Sequence, residues 1–507
     1  MAPPRPVPQT PRRAYVETYG CQMNVSDGEL MQGILSAGGF ALVDSPEEAD
    51  VILVNTCAIR DHAEQRVIGR VGELYRIKRA RPELVIGVTG CMAQRLGEQL
   101  LARAAYVDLV LGPDAYRALP QAIARVRPQW GVATVPAAKP DHAHTPAGLG
   151  HALADDRPHS GRRPLPVISA VAAPAGASAV ASRRRGEERL ALLEFQGDEN
   201  YEGLEIRRTS RVSAWVPVQR GCNYRCTYCI VPYVRGPEKN RDPAQVLAEV
   251  REVAEQGITE VVLLGQTVNS WNHGDWSFAR LLRAVANVDG IRRVRFTSPH
   301  PNDFTPELVA AMAEEPRVCR QLHLPVQSGD DRTLRRMLRR YTVAQYLERI
   351  AQVRAAIPDI ALSTDVIVGF PGETDAEFRA TLALLREVRY DDAYLYRYSR
   401  RDGTPATRLP AEQFVPDEVA QARLLEVIEL HRTIQHEINL AALGRVEEVL
   451  VERTARSPGD VLGRTAGNKV VAFPGHASLI GSYRHVRLSD TTGATFRGRE
   501  AEIPALA

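Results

Sequence analysis

Three cysteines in the run Gly221-Cys222-Asn223-Tyr224-Arg225-Cys226-Thr227-Tyr228-Cys229 are spaced to aim their sulfurs at one point. A structural zinc and an electron-transfer 4Fe–4S cluster each close with four ligands. Three thiolates on a four-iron cluster leave one iron open to bind something else, which is an arrangement for reaction. A zinc knuckle or a partial disulfide set is the bland alternative. A fourth Cys or His close by would favour zinc, and none occurs between Pro217 and Glu238.

A second set is scattered. Cys21, Cys57 and Cys91 each follow a strand-like run, at 14–18, 51–55 and 84–89. Parallel strands bring their carboxyl ends to one edge, where ligands bind in α/β sheets. Glycine beside Cys21 and Cys91 would let the backbone approach a bulky group. Three cysteines acting as small buried hydrophobes is the plainer reading of any one of them. Their equivalent positions suggest a second three-thiolate cluster. The seventh cysteine, Cys319, stands alone before a strand and reads as a buried filler.

The elements that must hold these residues can be read along the chain. At 507 residues it is too long for one ordinary core, so two to four domains are expected. With 25% charged and 44% apolar residues it has a globular composition, and seven cysteines in such a length do not form a disulfide framework. A net charge of +3 identifies no polyanion partner. The Pro-rich start, 1–12, reads as a disordered tail without a signal-peptide core. No run is apolar enough for a membrane span, and a cytoplasmic monomer is expected. Residues 13–136 alternate strands with helices at 27–36, 61–78 and 93–104, giving a small parallel α/β sheet. Residues 137–193, rich in Ala, Pro, Gly and Arg, read as a flexible insertion or linker. From 194 to 440 the alternation returns with strands near 213, 260, 293, 321, 361 and 392, a partial (β/α)6 barrel. Residues 441–507 carry strand signals at 446–453, 461–466, 470–474 and 483–488, a small β-barrel. The fold class is therefore α/β with a carboxy-terminal β-barrel.

A C-x3-C-x2-C run at the end of a first barrel strand resembles the radical S-adenosylmethionine enzymes. Tyr19-Gly20-Cys21-Gln22-Met23-Asn24, Asn55-Thr56-Cys57-Ala58-Ile59-Arg60 and Gly90-Cys91-Met92-Ala93-Gln94-Arg95 resemble the amino-terminal domain of the methylthiotransferases within them. Val231-Pro232-Tyr233-Val234-Arg235-Gly236, Leu264-Gly265-Gln266-Thr267-Val268-Asn269-Ser270, His323-Leu324-Pro325-Val326-Gln327-Ser328-Gly329 and Gly369-Phe370-Pro371-Gly372-Glu373-Thr374 agree, closest to the branch acting on N6-isopentenyladenosine in tRNA. Gly463-Arg464-Thr465, Asn468 and Val470-Val471 resemble the TRAM domain, an RNA-binding barrel. Pro237, Lys239-Asn240 and Asp330 depart from the family pattern.

The resemblance implies two 4Fe–4S clusters, ligated by Cys222, Cys226 and Cys229 and by Cys21, Cys57 and Cys91. It implies S-adenosylmethionine as both radical source and methyl donor. The product would carry a methylthio group at C2 of an N6-isopentenyladenosine beside the anticodon. Tyr228, Gln266, Asn269, Ser298, His323, Gln327 and Gly369 are candidate contacts to S-adenosylmethionine, and His300 is a candidate for it or the target base. Partners would be a tRNA anticodon stem-loop and a low-potential donor of flavodoxin or ferredoxin type. Arg332, Arg335, Arg336, Arg339 and Arg340 at helical spacing, and Arg292, Arg293 and Arg295, are candidate phosphate contacts. The alternatives are a methylthiotransferase for threonylcarbamoyladenosine or a ribosomal protein, or a zinc-stabilised RNA-binding protein.

Overall fold

A computed structural model describes residues 11–58, 61–130, 179–184, 187–197 and 199–501. Most of the expected tail, Ile59-Arg60 and 137–178 of the expected linker lie outside them.

The amino-terminal sheet runs in the order Ala41–Leu42, Arg13–Thr18, Val51–Thr56, Val85–Gly90, Leu109–Leu111, Glu187–Leu192, Ala179–Arg184. All neighbours are parallel except the last pair. Val51–Thr56 and Val85–Gly90 are buried along their whole length, as near-continuous apolar runs in a sheet covered on both faces must be. The sheet thus takes in the end of the segment expected to be a linker. Leu190 and Ala191 are buried against it, and Arg189 donates to the carbonyls of Val107, Leu101 and Ala104. A low-apolar hairpin with one apolar stripe gives little sequence signal until the sheet edge is present. The helix expected over 93–104 breaks at Gly97, φ +53°, into Cys91–Leu96 and Glu98–Arg103.

In the second domain, Ser213–Pro217, Glu260–Leu264 and Arg293–Phe296 form one parallel set. Gln321–His323, Ala361–Val368 and Asp392–Arg397 form another. A parallel bridge between Val294 and Val318 joins them into an open six-stranded barrel. One large core, from Ala214 to Ile434, packs its helices. Helix Asp417–Ala442 closes this domain and lacked a clean apolar period, because its buried face includes Arg423, His431 and Asn439.

The last domain is a closed barrel of Val446–Thr454, Asp460–Thr465, Val470–Pro474, Thr495–Glu500 and Tyr483–Thr491. The polar strand Thr495–Glu500 was not legible as a strand, and barrel closure is what recruits it. Gly463 sits where a Cβ would stand 2.1 Å from the Leu450 carbonyl oxygen. Among the described residues no helix is long and apolar enough to cross a membrane.

This barrel docks on the amino ends of the second domain's strands. Arg293 donates to the Arg464 and Glu448 carbonyls at 2.9 and 2.7 Å. Arg295 donates to Thr465 and Ala466 at 2.7 and 2.9 Å, while its Nε bonds Glu260 at 3.0 Å. Arg292 lies 3.7 Å over the Tyr483 ring. Arg293 and Arg295 are therefore a buried domain dock rather than an exposed phosphate patch, while Arg292 stays exposed beside Glu448. Arg295→Ala strands Glu260 in the interior without its cation. It should destabilise the chain by roughly 3–5 kcal/mol, read as a lower urea midpoint; an unchanged midpoint would refute the dock.

Candidate active site

The three strand ends of the first sheet are sewn together by side chains. Asn24 donates to the Thr56 carbonyl at 3.1 Å, Asn55 to the Asn24 carbonyl at 2.7 Å, and Thr56 to the Thr89 carbonyl at 2.5 Å. This fixes the residues next to Cys57 and Gly90. Cys21 caps helix Gln22–Ala37, and Cys91 opens helix Cys91–Leu96. Glycine is required beside both. A Cβ on Gly20 would lie 2.7 Å from the Cys57 Cβ, and one on Gly90, φ +91°, 2.4 Å from the Thr56 carbonyl oxygen. A hydrogen bond from Cys57 brings the Cys21 thiol down to about 6. Burial pushes Cys91 up, against the pull of Arg235. None of the three is in a disulfide.

The second trio lies on a loop pinned at several points. Cys222 N–H bonds the Gly236 carbonyl at 3.1 Å, and Thr227 N–H bonds Met337 O at 3.1 Å. Gly221, φ +77°, leaves only 1.9 Å between a built Cβ and the Pro237 carbonyl oxygen. Sγ of Cys222 is 3.2 Å from Thr267 Oγ1. Arg339 points Nη1 at Cys226 Sγ, 3.6 Å away, and anchors itself on Pro325 O and Tyr341 Oη. Burial, then the neighbouring Cys226, pushes Cys229 up to about 12. Among the described residues no three Cys, His, Asp or Glu side chains close on a single ion. A four-iron cube takes one thiolate per iron, so its ligands stand further apart than those of one zinc.

The trios meet across the domain interface. Cys91 packs with Ile230 and Val234, just beyond Cys229, and Cys21 packs beside Trp215, Val262 and Leu264, just before Thr267. Buried ion pairs knit the same interface: Asp27 with Arg220 and Arg235, Glu29 with Arg208, and Asp114 with Lys239. Sequence reasoning missed these. A signal existed, because Asp27 falls among Met23, Leu30, Met31 and Ile34 on the buried face of its helix. Lys239, a departure from the family pattern, is the partner of Asp114.

The other expected contacts divide. Gln266 Oε1 and His300 Nε2 are buried without a protein partner. The His300 ring stacks 3.9 Å from Tyr224, and burial pushes it down to about 2, so it is neutral. Asn269 is a clasp, giving Nδ2 to the His300 carbonyl at 2.9 Å and accepting its N–H at 2.7 Å. His323 engages Ser363 at 3.0 Å. Ser298 and Gln327 hold positive φ, +57° and +70°. Gly369 packs on helix Asp417–Ala442, where a Cβ would meet Ala420 Cβ at 2.6 Å. Tyr228 lies against Met337, Phe370 and Ala406. The arginine run 332–340 does not form one helical face. The helix ends at Arg336 and Leu338 takes φ +56°. Arg336 pairs with Glu377 and Arg339 is buried at the cysteines, which leaves Arg332, Arg335 and Arg340 exposed. Cys319 is buried near Arg295.

Three family models match: Radical SAM superfamily over residues 216–385, uncharacterized protein family UPF0004 over 13–112, and TRAM domain over 441–499. The first spans one cysteine trio and the second spans the other. The tRNA-2-methylthio-N(6)-dimethylallyladenosine synthase of Thermoanaerobacter sp. (strain X514) is 39% identical, covering 96% of this chain and 93% of its own. Proteins of that name from Porphyromonas gingivalis and Acidothermus cellulolyticus are 39% and 40% identical over 97% and 92% of this chain, and 96% and 84% of theirs. A solved radical S-adenosylmethionine methyltransferase from Kitasatospora setae shares the fold at TM-score 0.52 and 14% identity, over 80% of this chain and 78% of that one.

In the metal-free chain, Cys21 should alkylate with a midpoint near pH 6, because its thiolate is the hydrogen-bonded form. Cys57→Ala removes that donor and should move the midpoint up. Mass spectrometry of the labelled peptide measures both, and an unshifted midpoint would break the pairing.

Proposed function

The chain belongs to the tRNA-2-methylthio-N(6)-dimethylallyladenosine synthase family of radical S-adenosylmethionine enzymes, and we propose that it attaches a methylthio group to C2 of N6-isopentenyladenosine beside a tRNA anticodon. The observation that carries this reading is the joint where Cys91 packs on Ile230 and Val234, bringing two sets of cysteines to one interface. Cys222, Cys226 and Cys229 would hold one 4Fe–4S cluster, and Cys21, Cys57 and Cys91 a second. The donor sets fit, with three cysteines outside any disulfide in each and glycines that clear the approach. The unpartnered Gln266 Oε1 and His300 Nε2 fit a polar ligand such as S-adenosylmethionine. When bound, these groups supply the electron, the carbon radical and the methylthio unit.

The chain's own residues position and exclude. Thr267 and Arg339 fix two of the loop sulfurs, while Asn269 and Tyr224 hold the neutral His300 ring. The buried interface keeps water from the space where a reactive carbon would travel. The target base must leave its stack to arrive there.

For tRNA, the outer face of the last barrel is the better candidate, because Arg464 and Thr465 lie at the dock. Arg487 and Arg499 stand directly opposite each other and both are exposed. Like charges in that position cost stability, and phosphate would offset the cost.

Cys57→Ala should keep 5′-deoxyadenosine release and lose the methylthio product, whereas Cys226→Ala should lose both; chromatography of the two products decides. Full product from Cys57→Ala would end the second-cluster reading. Nucleoside mass spectrometry of cells lacking the protein should find isopentenyladenosine without its 2-methylthio group. Arg487→Ala with Arg499→Ala should weaken tRNA binding and lower the salt slope by about 1 for each phosphate that is no longer neutralised. An unaltered slope would move the RNA face elsewhere.

A further inference from the structure

We propose that Arg235 is a positioning residue for the second cluster. It crosses the domain interface to give a hydrogen bond to the Cys91 sulfur, and so sets how readily that cluster is reduced. This rests on reading Cys21, Cys57 and Cys91 as cluster ligands. The Arg235 side chain is only 3% exposed. Its Nε is 3.2 Å from Cys91 Sγ and its Nη2 is 2.7 Å from Asp27 Oδ2. Asp27 has no exposure at all and sits on the helix that Cys21 caps. The carboxylate therefore aims the guanidinium, and Arg220, 2.9 Å from Asp27 Oδ1, supplies a second cation. With one carboxylate between two guanidiniums, the group keeps a net positive charge facing the sulfur. Arg235 also ends the short helix Val231–Val234 that follows Cys229. One side chain thus ties the loop of one trio to a ligand of the other.

Hydrogen bonds and positive charge at a cluster's sulfurs stabilise its more negative, reduced form and raise its potential. The test uses the full chain with Cys222, Cys226 and Cys229 changed to Ala, reconstituted anaerobically, so that one cluster is read alone. Electron paramagnetic resonance during a redox titration gives its midpoint. Arg235→Gln should shift that midpoint to a more negative potential. Arg220→Gln removes a charge from the same carboxylate but touches no sulfur, and should shift it less. Arg235→Lys keeps the charge without the fork, so a smaller negative shift is expected, and it is the deciding variant if Arg235→Gln assembles no cluster. No shift in either Arg235 variant, equal shifts in Arg235→Gln and Arg220→Gln, or loss of the cluster in both Arg235 variants overturns the proposal. A parent chain that binds no iron and sulfide sinks the two-cluster reading itself, and the proposal with it.

Discussion

The contact between the first two domains is built on buried charge. Asp27, Glu29 and Asp114 come from one side, and Arg220, Arg235, Arg208 and Lys239 from the other. Such pairs add little net stability over apolar packing, but they are costly to break, since separation strands each charge. They therefore specify a geometry more than they glue it. All four cations lie between residues 208 and 239, the stretch that also holds Cys222, Cys226 and Cys229. The ionic contacts that join the domains thus also fix where one trio lies relative to the other.

The third domain is fixed from the opposite end. Arg293 and Arg295 rise from the amino ends of barrel strands and donate to carbonyls of residues 464–466, and Lys469 reaches Asp391 at 3.0 Å. The cysteine loop sits at the carboxyl ends, where the barrel is open. One end of the barrel is thus sealed by the last domain and the other faced by the first. Docking leaves the Arg487 and Arg499 face of the last barrel exposed.

The convergence of the first cysteine trio was legible because parallel topology is. A residue just past a parallel strand lies on a shared edge whatever the sequence distance, so Cys21, three residues past its strand, and Cys57 and Cys91, one past theirs, could be joined from the sequence. The strands of both α/β domains were legible for the same reason, as apolar runs of the right length. Arginines were not. Arg292, Arg293 and Arg295 look like a basic patch in one dimension, and only the partner carbonyls reveal that Arg293 and Arg295 are a dock. Arg336 and Arg339 look like a helical face until Leu338 turns the chain. A guanidinium has five donors and a long stem, so its sequence position says little about where its charge ends up. Helix Asp417–Ala442 was hidden by the same property, because Arg423 is buried on Glu373 at 2.8 Å and interrupts the apolar stripe.

Burial explains both the fitness of these sites for reactive chemistry and the care with which they are charged. A site that excludes water also disfavours a free thiolate, and Cys229, pushed up to about 12 by burial, records that conflict. Metal binding by these thiols would have to release a proton and would couple to pH. In the first domain the conflict is eased at Cys21 and kept at Cys91, which burial still pushes up. A hydrogen bond from Cys57 leaves Cys21 near 6, and Arg235 sits at Cys91. Arg235 therefore comes to Cys91 from the neighbouring domain, although burial still holds that thiol up and neutral. The isolated amino-terminal sheet would contain Cys91 without this guanidinium, and so the domain contact belongs to the site itself.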